Sequence, residues 1–237
     1  MPSYHLRFRF HFKNGNICSE LKTLITNFIL RCESEKLVWK IQIETYEREV
    51  EKYGTNSIEL AEKLFSNDSR SVLTLINQQF LNFDIKTKLL VGLKSVDMFL
   101  KDFNLNHYDC VNFTSFYINQ LNNSDGTSIA IKSLQKKYYL EIKESMSKIL
   151  EHNILNNDSS MAILASLNLR SHENRLITAQ LIKNVSPEKL MEYLRSYIHM
   201  NLNRIFIDNH KKYENLIYYI LNKYYISRYN KLNLLKN

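Results

Sequence analysis

Two arginines share one face of a β-strand predicted near the start of the chain. Over residues 4–12, one leucine and three phenylalanines alternate with Arg7, Arg9 and two histidines, and this period of two predicts a strand with one buried face. Side chains two positions apart on a strand lie about 6.5–7 Å from each other. Arg7 and Arg9 could therefore hold two carboxylates of one ligand, or one carboxylate and a developing oxyanion. The alternative is an edge strand whose charges guard against aggregation.

A dense run of tyrosine, glutamate and cations follows a second predicted strand. Residues 37–46 alternate a tryptophan and two isoleucines with polar residues, which predicts that strand. The charged run at residues 45–54 contains Tyr46, Glu49 and Lys52. Such a run is usually a solvated loop, but active-site residues favour the ends of strands, so both interpretations stay open.

A third group lies in a helix that a serine and a proline begin, predicted over residues 187–208. His199 and Asn203 are four positions apart and share one face of this helix, and Arg204 follows. A histidine near a cation is a candidate general acid or base at neutral pH. The alternative is a helix histidine with no role beyond its own hydrogen bonds.

The composition excludes several classes of site. The sequence has no GxxxxGK[ST], GxGxxG or GxSxG motif. Its three widely spaced cysteines predict free thiols rather than a disulfide framework or a zinc site, and we expect neither a metal nor a cofactor. No apolar stretch approaches the length of a membrane span, and polar residues interrupt any signal sequence, so we expect a cytoplasmic protein.

The rest of the chain has helical apolar spacing. With the strand–helix–strand start, it predicts an α+β protein, mostly helical, with a small β-sheet built from N-terminal strands. We expect one domain over residues 1–237, with the strand–helix–strand portion at 1–54 and the helical portion at 55–237. The predicted helices cover residues 57–66, 69–81, 86–103, 108–121, 127–150, 159–184 with a break near 170–171, 187–208 and 211–235.

Four ordered motifs resemble the elimination domain of nisin-type lanthipeptide dehydratases, a domain that also occurs as a stand-alone protein in thiopeptide biosynthesis. HLRFRF at residues 5–10 resembles the HLRxRF strand of that family, and YEREVEKYG at 46–54 resembles its YExEVxRYGG segment. AEKLFSNDS at 61–69 is similar to AExLFxxDS, and HMNLNR at 199–204 is similar to HMxxNR. The four motifs span nearly the whole chain.

The resemblance implies a lyase. In that family a partner domain esterifies a Ser or Thr hydroxyl of a precursor peptide with glutamate from glutamyl-tRNA. The elimination domain then removes the α-proton and expels glutamate, which leaves dehydroalanine or dehydrobutyrine. By matching positions, the resemblance assigns the catalytic role to Arg7, Glu49, Lys52 and His199. We expect Arg9, Tyr46 and Arg204 to bind substrate.

This chemistry suits the residue types. The α-proton of a peptide is weakly acidic, so its removal needs a positioned base and a preorganised cationic site for the enolate oxygen. Arg7 and Arg9 suit the carboxylates of the leaving glutamate, Glu49 suits its amine or orients an arginine, and His199 could carry a proton. Which residue is the base stays open.

The sequence departs from the family in two places. Lys52 stands where the family has arginine, and lysine keeps the charge but loses the bidentate fork of a guanidinium. Family members also carry further strands before the first motif, whereas this sequence begins almost at it. We therefore expect those strands to be missing from this chain.

The expected partners follow from the resemblance: a precursor peptide, a separate glutamylating dehydratase subunit, a cyclase complex and a second copy of the chain. Three other functions stay open. One is a non-catalytic module that binds peptide or holds the biosynthetic complex together, and another is a cycloaddition enzyme that forms the pyridine core of thiopeptides. The net charge of +8 also fits a nucleic-acid-binding helical protein, although no stacking motif supports direct contact with nucleic acid.

Overall fold

The computed structural model describes residues 7–9, 19–125, 129–155 and 160–234. Within these ranges the chain forms α-helices, with one 3-10 helix at Phe80–Asn82. The connections are short except for residues 35–49, which contain no helix or strand. The α-helices are α1 (Ser19–Ser34), α2 (Val50–Tyr53), α3 (Ile58–Asn77), α4 (Ile85–Asp102), α5 (His107–Asp125), α6 (Ile129–His152), α7 (Ser160–Asn184), α8 (Pro187–Ile205) and α9 (His210–Leu234).

The predicted β-sheet is wrong, because the described residues contain no strand and their architecture is helical rather than α+β. Residues 37–46 have no regular secondary structure. Their alternating side chains are uncovered: Trp39 is 77% exposed and Ile43 is 86% exposed. A period of two stabilises a strand only where a neighbouring strand completes the backbone hydrogen bonds and a core covers the apolar face. Most of the other predicted strand, at residues 4–12, lies outside the described residues.

The chain divides into two compact units, Met1–Glu49 and Val50–Asn237. Among the described residues of the first unit, which include α1, Cys32 is the one that is buried. The second unit contains α2 to α9 and almost all of the buried apolar residues. We predicted one domain over residues 1–237, with a strand–helix–strand portion at 1–54 and a helical portion at 55–237. That these portions belong to one domain stays a prediction.

Helix α4 is the centre of the second unit. Every residue from 89 to 100 is buried, and α4 contacts α6, α7, α8 and α9. Gly92 allows the close approach of α9, because a Cβ at this position would lie 2.8 Å from Cδ1 of Ile217. The Asp84 side chain caps α4 by accepting hydrogen bonds from two backbone N–H groups of its first turn.

Two helices are longer than their sequence pattern indicates. Helix α3 is continuous where we predicted two helices, because Asn67 and Asp68 are buried and bonded to other helices rather than exposed in a loop. Helix α7 is continuous where we predicted a break. Its Arg170 and Ser171 are buried, and they donate hydrogen bonds to Asp68 and Asp102 respectively.

The tyrosines of α9 and the cysteines are also part of the packing. Tyr218 and Tyr225 are buried within their own unit, so these two side chains are core residues. Cys32 and Cys110 are buried free thiols, and burial raises the pKa of Cys110 to about 12. None of the described helices combines the length and apolar character needed to cross a bilayer.

Candidate functional site

The His199 imidazole is held at both ring nitrogens. Its Nδ1 lies 2.8 Å from Oε2 of Glu214, and its Nε2 lies 3.1 Å from Nδ2 of Asn203. An amide nitrogen only donates, so Nε2 accepts and Nδ1 carries the proton that it donates to the carboxylate. The shared helix face predicted for His199 and Asn203 is confirmed.

The connection between α8 and α9 brings the carboxylate to the histidine. Asn209 adopts a left-handed conformation with φ of 55°, which asparagine tolerates better than most residues. Phe206 is buried in this connection and stacks on Tyr213, with ring centroids 4.7 Å apart. The chain thereby reverses over a few residues, and Glu214 in the second turn of α9 meets His199 in α8.

The pair combines a buried carboxylate with a partly exposed imidazole. The side chain of Glu214 is 4% exposed and that of His199 is 41% exposed. Tyr218 contacts the same carboxylate from one turn further along α9, and burial together with the charge of Glu214 raises its pKa well above the ordinary value. A carboxylate on Nδ1 fixes the orientation of an imidazole and stabilises the imidazolium that forms when Nε2 takes up a proton.

Arg204 is bound to a buried aspartate. Its Nη1 donates to Oδ2 of Asp68, while Nη1 of Arg170 lies 3.1 Å and Nδ2 of Asn201 lies 2.7 Å from Oδ1 of the same carboxylate. The Asp68 side chain is 3% exposed and that of Arg204 is 25% exposed. This network joins the third sequence motif to the fourth, and it anchors α8 to α3.

Arg170 is the central cation of this network. Its Nη1 donates to Oγ of Ser95 at 2.8 Å, and its Nη2 donates to the Ser95 carbonyl oxygen at 2.9 Å. The guanidinium lies over the Phe99 ring, 4.0 Å from the centroid, which is a cation–π contact. Groups of α3 and α4 thus accept hydrogen bonds from both Nη atoms, while the buried Nε has no hydrogen-bond partner among the described residues. The paired Nη atoms and the Asp68 carboxylate explain how α7 tolerates an arginine in its buried face.

Sequence reasoning missed Asp68, Arg170 and Glu214. Asp68 stands inside the third motif, so its position in the resemblance could have marked it. Arg170 could have been noticed as a charge within an apolar helix face. Glu214 has no local signal, because its contact with His199 depends on the geometry of the α8–α9 connection.

Lys52 is an exposed residue of α2 in the second unit. Its Nζ lies 4.9 Å from the ring centroid of Tyr53. Tyr53 is buried, and its carbonyl oxygen accepts a hydrogen bond from the Tyr193 hydroxyl at 2.8 Å. The Tyr53 ring also lies 6.1 Å from the Tyr197 ring in α8. The segment that carries Lys52 is therefore fixed to the helix that carries His199.

The first unit contains the other predicted site residues. Arg7, Arg9, Tyr46 and Glu49 are all exposed, and the Arg9 guanidinium lies 4.8 Å from the ring centroid of Tyr46. This cation–π contact pairs two residues that we expected to bind substrate. The assembly of these residues with Lys52, His199 and Arg204 into one site stays a prediction.

Metal-ligating side chains do not gather in the part of the chain that the structure describes. No group of three or more histidine, cysteine, aspartate or glutamate side chains there has the arrangement needed to hold a metal ion.

Comparison with known proteins gives two matches. The family model described as lantibiotic biosynthesis dehydratase C-term matches residues 1–225. Subtilin biosynthesis protein SpaB of Bacillus subtilis is 28% identical over 244 residues, an alignment that covers 98% of this chain and 22% of that protein. The chain thus spans less than a quarter of the length of this relative. No solved structure matches the chain.

Proposed function

We propose, since this chain belongs to the lantibiotic biosynthesis dehydratase C-terminal family, that it acts in the dehydration of a precursor peptide during lanthipeptide or thiopeptide biosynthesis. Its step is the elimination of glutamate from glutamylated Ser or Thr, which classes it as a lyase. Its partners are the precursor peptide and a separate protein that glutamylates it, and its place of action is the cytoplasm. The observation that carries the proposal is the pairing of His199, the first residue of the HMNLNR motif, with Glu214 of α9.

The elimination makes defined demands on the protein. A base takes the α-proton, the C–H electron pair becomes the Cα–Cβ double bond, and the Cβ–O bond breaks with its pair on the departing glutamate carboxylate. Charge accumulates first on the peptide carbonyl oxygen and then on the leaving group. Preorganised cations at both places lower the barrier.

The proposed residues divide this work by charge. The exposed cations Arg7 and Arg9 bind the free carboxylate of the glutamyl group and the ester carboxyl that leaves as the second carboxylate, and Arg9 lies against Tyr46 as it does so. Glu49 binds the amine of the glutamyl group. Lys52 supplies a point charge to the developing anion, and His199 exchanges a proton with the substrate or its product.

The experiment is mass spectrometry of a pre-glutamylated Ser/Thr peptide incubated with the protein. We expect the glutamyl adduct to disappear, and the product to be one water lighter than the unmodified peptide. In the His199→Ala variant we expect the rate to fall at least about 100-fold, because a general acid or base is lost. His172→Ala is the matched control, since His172 is an exposed histidine of α7. Equal rates for wild type and His199→Ala would contradict the role of His199.

A non-catalytic peptide-binding module is the second candidate, and Lys52 is the observation that favours it. An ammonium cannot reproduce the bidentate hydrogen bonds of the arginine in the family motif. This candidate predicts that the glutamylated peptide binds but keeps its adduct. Lys52→Arg would then be expected to restore elimination.

A further inference from the structure

Glu214 is a buried carboxylate whose hydrogen-bonding partners include a partly exposed histidine. It comes from α9 and has 4% of its side chain exposed, and it accepts from Nδ1 of His199 at 2.8 Å. A buried carboxylate is costly unless it is hydrogen-bonded or paired with a cation. When His199 is protonated, Glu214 has both a hydrogen bond and a cationic partner. When His199 is neutral, Glu214 keeps the hydrogen bond.

The bond to Glu214 decides which tautomer the neutral imidazole adopts. Because the carboxylate only accepts, the proton stays on Nδ1, and the lone pair stays on Nε2. Asn203 agrees with this assignment, since its Nδ2 donates to Nε2 at 3.1 Å. Asn203 fits this tautomer in its present orientation, but its amide can reverse, so Glu214 is the neighbour that selects the tautomer with a basic Nε2.

Asn203 also suits the protonated ring. Its Oδ1 is buried, and among the described residues it has no hydrogen-bond partner. A half-turn of the amide would bring Oδ1 to Nε2, where it would accept from a newly formed N–H. The same side chain can thus bind both protonation states of His199, with the amide reversed between them.

We propose that Glu214 is a positioning residue for the elimination: it holds His199 in the Nδ1–H tautomer and balances the charge that the ring gains when Nε2 takes up a proton. The inference rests on the proposed function, in which His199 exchanges a proton with the peptide. Nε2 is then the nitrogen that exchanges it, and Asn203 releases Nε2 as it does so.

Other groups face this pair from three helices. From α9, the His210 ring lies edge-on to His199 with centroids 6.0 Å apart, and the buried Tyr218 lies near enough to Glu214 for the charge of that carboxylate to help raise its pKa. From α8, Arg195 acts on Tyr218 through its charge, and from α5, Tyr117 stacks on Tyr218. The Arg195 guanidinium itself lies over the Tyr117 ring, 5.2 Å from the centroid.

The first test is the elimination rate of Glu214→Gln with glutamylated peptide. Glutamine keeps the shape of the side chain and an acceptor oxygen but removes the charge. We expect kcat to fall roughly 100-fold or more, with little change in KM, because the Glu214 side chain is buried behind His199. Glu173→Gln is the matched control, since Glu173 pairs with Arg70 at the surface, and it should leave kcat unchanged. Unchanged kcat in Glu214→Gln would overturn the proposal.

The second test reads the tautomer directly. Nitrogen-15 NMR of the histidine rings, at a pH where His199 is neutral, should show the Nδ1–H form in wild type. In Glu214→Leu, which removes the acceptor, the spectrum should move to the Nε2–H form. Tyr218→Phe removes a buried hydroxyl near the same carboxylate but leaves Glu214 and its bond to His199 in place, so it should keep the Nδ1–H form. A purely structural carboxylate would leave the tautomer of His199 the same in both variants, which would overturn the proposal.

The two tests separate this inference from the proposed function. In one outcome, the wild-type protein eliminates no glutamate but shows the Nδ1–H form, and Glu214→Leu loses that form. This result would contradict the proposed function and support the positioning of His199 by Glu214. A wild-type protein that eliminates glutamate with an Nε2–H ring would support the function and overturn the positioning role.

Discussion

Asp68 accepts hydrogen bonds from three side chains on two other helices: Arg170 of α7, and Asn201 and Arg204 of α8. One carboxylate thereby fixes the relative positions of α3, α7 and α8. The sequence assigned Arg204 to substrate because it follows His199 in the motif. The contact with Asp68 gives the same residue a second role, which is to orient the helix that carries His199.

We predict that Asp68→Ala destabilises the protein by about 3–5 kcal/mol, because it leaves Arg170 buried without its nearest carboxylate. Arg204→Ala should cost about 1.5–3 kcal/mol, since it removes one charged hydrogen bond at a partly exposed position. Lys148→Ala is the control: it breaks an exposed ion pair with Glu144 and should leave stability close to that of wild type. Urea unfolding measures all three. An Arg204→Ala variant with wild-type stability and weakened peptide binding would leave only the substrate role.

At the scale of elements, helical periodicity predicted the second unit well. The helix predicted at 86–103 is α4 (Ile85–Asp102), and the one predicted at 211–235 is α9 (His210–Leu234). Such predictions succeed because a helix completes its hydrogen bonds within itself, so local spacing is sufficient evidence. The start of α8 was predicted from a capping serine followed by a proline. The structure confirms it, because the Ser186 side chain accepts a hydrogen bond from the Lys189 N–H.

Strands, and side-chain contacts between residues far apart in the sequence, could not be predicted in the same way. Residues 37–46 alternate correctly, but a strand also needs a partner, which a local pattern does not supply. Glu214 meets His199, and Asp68 meets Arg204, only after separate helices have packed. Sequence motifs indicated His199 and Arg204, but the carboxylates that orient them are a product of the tertiary structure.

The contact between α4 and α7 should respond to pH. Burial raises the pKa of Asp102 to about 6 from an ordinary value of 3.8, against the opposing effects of the Ser171 hydrogen bond and the charge of Arg170. The folded state therefore binds this proton more tightly than the unfolded state does. Between pH 4 and pH 6 the unfolded carboxyl is already ionised while the folded one is protonated, so stability from this group falls as pH rises.

We predict that Asp102→Asn removes this dependence. Wild type should lose about 1–3 kcal/mol of unfolding free energy, relative to the variant, as pH rises from 4 to 7. Asparagine can still accept the hydrogen bond from Ser171, and it stays neutral throughout. Parallel unfolding curves at several pH values test this, and a constant difference between the two proteins would show that Asp102 does not titrate in this range.

At the scale of the whole molecule, the two units differ in how they are stabilised. The second unit, Val50–Asn237, contains a buried central helix and an extensive core. The first unit, Met1–Glu49, has one buried residue among those described. Cooperative unfolding depends on buried apolar surface, so the second unit determines the stability that a thermal scan would measure.

We predict that residues 50–237 expressed alone fold and unfold cooperatively, with a Tm within a few degrees of the full chain. The same fragment should not eliminate glutamate, because it lacks Arg7, Arg9 and Glu49. Calorimetry and the peptide assay test the two statements separately. A fragment that does not fold would show that the second unit depends on the first, and an active fragment would contradict the catalytic role of the first unit.

The exposed side chain of Trp39 makes the first unit visible by fluorescence. It is the only tryptophan in the sequence and is 77% exposed, so selective excitation reports on Met1–Glu49 alone, without a label. A peptide or protein that covers this residue would shift the emission to shorter wavelength and shield it from iodide quenching. The chain therefore contains its own optical probe, in the unit that also holds Arg7 and Arg9.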